Sequence, residues 1–198
     1  MSNKYEELVF WYLRLNGYLT VEHFILHPLG SGPQRTEVDV LGVRFPNSKE
    51  VAGAEMKRDD NLVRCDGRID FIIAEVKSGM CDINGPWKNP DTKNWEYVLK
   101  WLGKLSDTEV SEVAKELQAK KEYVGDDWAI RIICFGNQRS QELSSNILQL
   151  EFEKLIDFLL NRFDQFRKQK RDIEQWPQFI KDFISKSSKK KVLDWLKS

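Results

Sequence analysis

The sequence predicts an α/β fold: a mixed central sheet with helices on both faces, followed by C-terminal helices. Three observations carry that expectation. Asp70-Phe71-Ile72-Ile73-Ala74-Glu75-Val76-Lys77 is almost continuously apolar, as in a strand covered on both faces. Strand-like stretches at 22–27, 36–45 and 70–78 follow one another with no helical pattern between them, which predicts an antiparallel meander. Stretches of helical periodicity stand before and after the meander, as a sheet flanked by helices requires.

Each element has its own reason. Residues 3–16 place Tyr5, Leu8, Val9, Tyr12 and Leu13 on one helical face, and Gly17 supplies the stop. Glu22 to His27 reads as a strand ended by Pro28, with a turn at Gly30-Ser31-Gly32-Pro33. Thr36 to Phe45 alternates as a strand. Residues 46–69 are polar and long for a connection, the mark of a functional or mobile loop. A Gly- and Pro-bearing loop runs from Ser78 to Asp91. Trp95, Val98, Leu99, Leu102 and Leu105 then form one helical stripe. Ser106 and Glu109 make a capping box for a second helix, whose stripe is Val110, Val113, Ala114 and Leu117. Ala129 to Phe135 is a buried strand stopped by Gly136, and 147–150 a short last strand. A long amphipathic helix runs from Glu151 to about Arg171, and two shorter ones follow Pro177. Residues 1–172 are expected to form one domain, with 173–198 a helical extension packed on or near it.

Composition narrows the function classes. The chain has 198 residues, 41% hydrophobic and 12% aromatic with seven Trp, which excludes a disordered chain. No apolar run approaches the roughly 20 residues that span a bilayer, and the first residues lack the apolar core of a signal peptide. A cytoplasmic protein without membrane contact is expected. Cys65, Cys81 and Cys134 are odd in number and lack a CxxC spacing, which argues against a disulfide scaffold or a cysteine-built zinc site. Lysine plus arginine equal aspartate plus glutamate at 31 each, so there is no global basic footprint. Residues 151–198 nevertheless carry 12 basic and 8 acidic side chains, leaving the front of the chain acidic.

The chemistry lies on two strands. Residues two apart in a strand share a face, so Glu75 and Lys77 project together. Asp39 lies on the preceding strand, its neighbour in a meander. Carboxylates on a buried strand are costly unless they are paired or bind a cation. A divalent cation with oxygen ligands and retained waters, Mg²⁺ above all, solves that problem. Lys77 would offset residual charge, or hold and deprotonate a water. The bland alternative is a solvated salt bridge from Lys77 to Glu75 or Asp39. Glu55-Met56-Lys57 repeats the Glu-x-Lys pattern in a polar loop with no rigid element behind it. His23 and His27 read as ordinary strand residues. Gly85-Pro86-Trp87-Lys88 either wedges against DNA or packs Trp87 on the core. Lys168, Lys170, Arg171 and the Lys189-Lys190-Lys191 run either meet phosphates or form solvated faces.

An acid on one strand (TEVDVLG, Asp39) and Glu-x-Lys at the end of the next (DFIIAEVKSG, Glu75 and Lys77), after an opening helix with its own Glu, resembles the PD-(D/E)XK, or restriction-endonuclease-like, nuclease superfamily. The likeness covers residues 1 to about 150. It implies a restriction-endonuclease-like core and a nuclease hydrolysing phosphodiester bonds in DNA. Asp39, Glu75 and the Val76 carbonyl would hold Mg²⁺, with Mn²⁺ as substitute, and Lys77 would serve catalysis. Members often add a Glu from the first helix. Glu6 flanks the apolar stripe whereas Glu7 points away from it, so Glu6 is the candidate. Tyr97 and Lys104 would flank the site. DNA is the expected partner, with RNA as an alternative and a homodimer as an option. A nuclease-fold module that binds nucleic acid or a partner protein without cutting is the competing expectation.

Overall fold

The opening helix, α1 (Lys4–Arg14), is capped by Asn3, whose side chain accepts the Tyr5 N–H. It buries Leu8, Val9, Trp11, Tyr12 and Leu13, the apolar stripe its periodicity requires. Gly17 then turns the chain at φ +88°, open to glycine without strain. The computed structural model describes residues 3–26, 36–49, 56–65, 67–170 and 173–198. His27, Glu55, Arg171 and the 30–33 turn lie outside them.

Strands β1 (Leu19–Leu26), β2 (Thr36–Arg44) and β3 (Ile69–Val76) form the expected antiparallel meander. Helices α2 (Gly85–Lys88), α3 (Asn94–Leu102) and α4 (Asp107–Lys120) follow, the last opened by the Ser106–Glu109 capping box. A short strand β4 (Glu122–Val124) leads into β5 (Trp128–Gly136), which pairs with β3 in parallel. The order across the sheet is β1-β2-β3-β5-β4. Strand β6 (Leu148–Glu151) shares the same edge of β5 as β4, the two pairing with opposite halves of it. The fold is therefore α/β, with a mixed six-stranded sheet and helices on both faces.

One buried layer joins α1 to α5 (Phe152–Gln165), α7 (Gln178–Lys186) and α8 (Lys189–Lys197), with Val40, Ala74 and Val76 on the sheet side. The other joins α3 and α4 to Val38, Leu41, Ile73, Ile132 and Cys134. Phe179, Ile180, Phe183, Val192 and Leu196 of the C-terminal helices are buried in the same layer as α1. No helix among the described residues is long and apolar enough to cross a membrane.

Several boundaries differ from the sequence reading. Strand β1 starts at Leu19, three residues early, although Leu19 and Val21 are exposed. β4 was not expected, because three residues carry no periodicity. Leu105 falls outside α3. The long helix stops at Gln165 and is followed by a single turn, α6 (Arg167–Lys170).

The long connection between β2 and β3 is pinned where it is described. The Arg44 guanidinium donates to the Leu62 carbonyl at 2.7 Å, and Asn16 accepts the Asp59 N–H at 2.7 Å. Arg162 of α5 donates to the Lys57 carbonyl. Beneath it, fully buried Asp70 receives Arg131 at 2.8 Å, Arg44 at 3.5 Å and the Tyr18 hydroxyl. Asp70 opens β3 and Glu75 closes it, five residues or about 16 Å apart at strand rise. The loop therefore belongs to the far end of the sheet.

Candidate active site

Strand β2 leaves β3 at the level of Asp39 and Glu75. The β2–β3 ladder ends at Val40–Ala74, whereas the β1–β2 ladder continues to Leu26–Thr36. Continuing the register by one step sets Asp39 opposite Glu75. Past that point the Val76 N–H has lost its neighbour strand, and the Asp39 carboxylate takes its place: Oδ2 accepts Val76 N–H at 2.7 Å. A buried N–H without an acceptor is costly, so this bond ties Asp39 to the end of β3.

Glu75 is fully buried on the face that carries α3 and α4. The indole N–H of Trp87, itself wholly buried, donates to Oε1 at 2.7 Å. Oε2 accepts the Asn84 N–H and the Lys77 ammonium, each at 3.2 Å. Lys77 is held again by Asn84 Oδ1 at 2.9 Å. The segment after β3 thus folds back under the strand end and supplies three donors to one carboxylate. Trp87 packs on the core beside Trp95, ring centroids 4.8 Å apart, so of the two readings of this turn the structure shows the packed one and not the DNA wedge. Proline at the start of α2 leads the chain into that turn.

Glu6 reaches the same end from α1. Its side chain is 17% exposed, and Oε2 stands 4.0 Å from His23 Nδ1. Glu7 turns away toward Glu22; its own burial, and then the Glu22 charge, raise its pKa. His23 has φ +52°, rare for a non-glycine residue inside a strand, and bonds Glu37 at 2.7 Å. That hydrogen bond raises the His23 pKa.

The carboxylates share one electrostatic character. Burial raises the pKa of Glu75, with the Lys77 charge pulling it back and the Asp39 charge adding to the rise. Burial raises Asp39 too, against the Val76 N–H and Lys77. Glu6 is raised by burial and then by Asp39. Acids that feel each other's charge in a half-dry site, with one lysine among them, form a place where a cation relieves repulsion. Asp39 Oδ1 takes no hydrogen bond from the described residues and is free to serve as a ligand. Carboxylate and carbonyl oxygens are the donors taken by an ion that keeps several waters, and here both Glu75 oxygens are engaged by Trp87, Asn84 and Lys77. Among the described residues, no three His, Cys, Asp or Glu side chains stand close enough to hold a metal between them.

The remaining candidates lie elsewhere. Lys57 has an 82% exposed side chain and pairs with Asp60 at 3.0 Å, beside the loop that covers the far end of the sheet. Lys104 bonds Asp127, just before β5 begins, and does not flank the site. Lys170 is buried and cannot meet a phosphate backbone. Lys189 is engaged by Asp157 at 2.6 Å and Glu153 at 3.8 Å. Lys168, Lys190 and Lys191 are exposed.

Comparisons with family models, with curated proteins and with solved structures gave no match. The geometry stands alone.

Sequence reasoning missed four residues of this constellation: Asn84, Trp87 as a hydrogen-bond donor, and His23 and Glu37 as a pair. Asn84 and Trp87 follow Glu75 by nine and twelve residues, a spacing that means nothing without the turn of the chain. A signal existed for Trp87, since a buried indole N–H needs an acceptor and Glu75 was the acid expected nearby.

Proposed function

We propose that the protein is a divalent-metal-dependent nuclease of the PD-(D/E)XK kind, hydrolysing phosphodiester bonds in DNA. The observation that carries this reading is the fork between β2 and β3. There Asp39 is bonded to the backbone of the Glu75-Val76-Lys77 segment, and Glu75 and Lys77 share an ion pair. The order of elements supports it: a helix, three meandering strands, three helices and a short strand, then a strand parallel to the third.

The residues divide the work. Asp39, Glu75 and the Val76 carbonyl would hold Mg²⁺ or Mn²⁺, which when bound supplies Lewis-acid polarisation and a more acidic water. Trp87 and Asn84 fix the Glu75 carboxylate so that little reorganisation is needed when charge develops. Lys77 is anchored by Asn84, and its ammonium orients the attacking water and offsets charge on the phosphate. Glu6 adds an outer carboxylate from α1.

A second reading has its own support. The Glu75 oxygens already hold three donors, and no metal-sized group of three side chains exists among the described residues. A nuclease-fold module that binds nucleic acid or a partner protein without cutting would look the same.

Cleavage assays separate them. The protein should cut DNA with Mg²⁺ or Mn²⁺, stop with a chelator and lose activity in Asp39→Ala. Lys77→Ala should slow cleavage by roughly 10²–10⁴-fold while binding persists. Lys57→Ala should behave as wild type. If wild type and Asp39→Ala are equally inert on linear, branched and supercoiled DNA and on RNA, the binding module takes over. Loss in Lys57→Ala alone would move the site to the loop.

A further inference from the structure

Cys81 and Cys134 lie side by side beneath the candidate site. Cys134 sits on β5 directly opposite Glu75 in the parallel ladder. Cys81 belongs to the segment that returns from β3 to α2, and that segment runs along the end of β5. The Asn137 N–H donates to the Gly79 carbonyl at 2.7 Å, the Cys81 N–H donates to the Gln138 carbonyl at 2.8 Å, and Met80 bridges Gln138. The approach is close enough that a Cβ on Gly136 would stand 2.9 Å from the Gly79 oxygen and 3.0 Å from Cys81 Sγ. Cys81 Sγ is 3.7 Å from the Cys134 carbonyl and Cys134 Sγ is 3.0 Å from the carbonyl of Asp82, the residue after Cys81, so each sulfur lies against the backbone beside the other cysteine. Both are free and buried.

We propose that Cys81 and Cys134 are an oxidisable pair, which peroxide converts to a disulfide that locks the 78–88 strap onto β5. The strap is the piece of chain that delivers Asn84 and Trp87 to Glu75, so the lock fixes the support of the buried carboxylate. The inference goes beyond the nuclease reading and does not depend on it.

The chemistry balances in two steps. A Cys81 thiolate attacks one peroxide oxygen, the O–O bond breaks, and with proton uptake the products are a sulfenic acid and water. The Cys134 sulfur then attacks the Cys81 sulfur, the S–O bond breaks, an S–S bond forms and a second water leaves. Two thiols and one peroxide give one disulfide and two waters, and the two electrons lost by sulfur reduce the peroxide. The neighbouring Cys134 side chain lowers the Cys81 pKa, which makes Cys81 the first nucleophile. Cys65 lies beside the pinned loop at the far end of the sheet and has no part in the pair.

The folded, reduced full chain is treated with hydrogen peroxide, alkylated and digested with trypsin. Residues 78–88 and 132–139 should then appear as one disulfide-linked pair, with Cys65 alkylated in 65–68. The sulfurs close a loop between residues 53 apart, so oxidation should raise the melting temperature by roughly 5–15 °C, reversed by dithiothreitol. Cys65→Ser should keep both effects, and Cys81→Ser and Cys134→Ser should each lose them. If one of these two variants fails to fold, the linked peptide and the reversible shift in Cys65→Ser still decide the matter. Recovery of Cys81 and Cys134 as free thiols or as separate over-oxidised residues overturns the proposal. So does a linkage through Cys65, or a Cys81–Cys134 linkage that leaves the melting temperature unchanged or lower. Every readout is a mass or a melting temperature, so failure of the nuclease reading leaves the test intact.

Discussion

Trp87→Phe isolates the bond that holds the central carboxylate. The substitution keeps an aromatic ring against Trp95 and removes the indole N–H, the one donor to Glu75 Oε1 among the described residues. The two donors that remain, Asn84 N–H and Lys77, both sit at Oε2 and at the longer distance of 3.2 Å. An acceptor left bare in a fully buried carboxylate costs about 1–3 kcal/mol, toward the upper end for a charged group. The smaller ring leaves a void worth about 1 kcal/mol more. The total, about 2–4 kcal/mol, lowers the melting temperature of a chain this size by roughly 5–15 °C. Urea unfolding at pH 7 with a chelator present measures it, in both the wild-type and the Glu75→Gln background. The void is common to both backgrounds and the charge is not, so the cost should be smaller by about 1 kcal/mol or more in Glu75→Gln. Equal costs in the two would refute a charge-assisted bond and reduce Trp87 to a packing residue.

Two further outcomes follow from the acids and from the strand kink. Asp39→Asn keeps an oxygen for the Val76 N–H and removes a carboxyl whose folded pKa is raised. Wild type is therefore penalised increasingly as pH rises from about 4 through that folded value, and the metal-free variant should be the more stable at pH 7 but not at pH 3.5, by thermal melts across pH. At position 23, His23→Gly should be more stable than His23→Ala by about 0.5–1.5 kcal/mol in urea unfolding, because only glycine takes φ +52° without strain. An ordinary strand position gives the opposite sign.

The sheet was legible because its signals are periodic. The apolar run at 70–77 and the absence of helical patterning between the first three strands determine the meander. The parallel pairing of β5 with β3 follows from the helices that intervene. The Glu75–Lys77 pair was legible for the same reason, since a two-residue spacing on a strand is a face. Glu6 could be chosen over Glu7 by helical geometry alone, and the structure sets Glu6 near His23 and Glu7 near Glu22. What resisted reading is non-periodic. Asn84 and Trp87 reach Glu75 through a turn, and the salt bridges that engage Lys189 join helices distant in sequence. Lys170 had the composition of a phosphate contact and the burial of a core residue, a difference that only packing sets.

The kink at Asp39 explains why the acid ends up in the fork at all. Strict alternation would put Val38 on the same side of β2 as Val40. Instead Val38 joins the layer of α3 and α4, as Leu41 does, while Val40 faces α1. The strand therefore changes face at Asp39. β1 changes with it: His23 lies between the Glu22–Val40 and Phe24–Val38 pairs, opposite Asp39, and it is the strand residue with positive φ. A regular β2 would have stayed in register with β3 and given the Val76 N–H a backbone acceptor. The twisted pair peels away instead, and the side chain of Asp39 turns into the gap to bond that N–H. A left-handed non-glycine residue costs on the order of 1–3 kcal/mol. That cost is tied to the backbone conformation that places an acid from β2 beside the Glu75-Val76-Lys77 strand end.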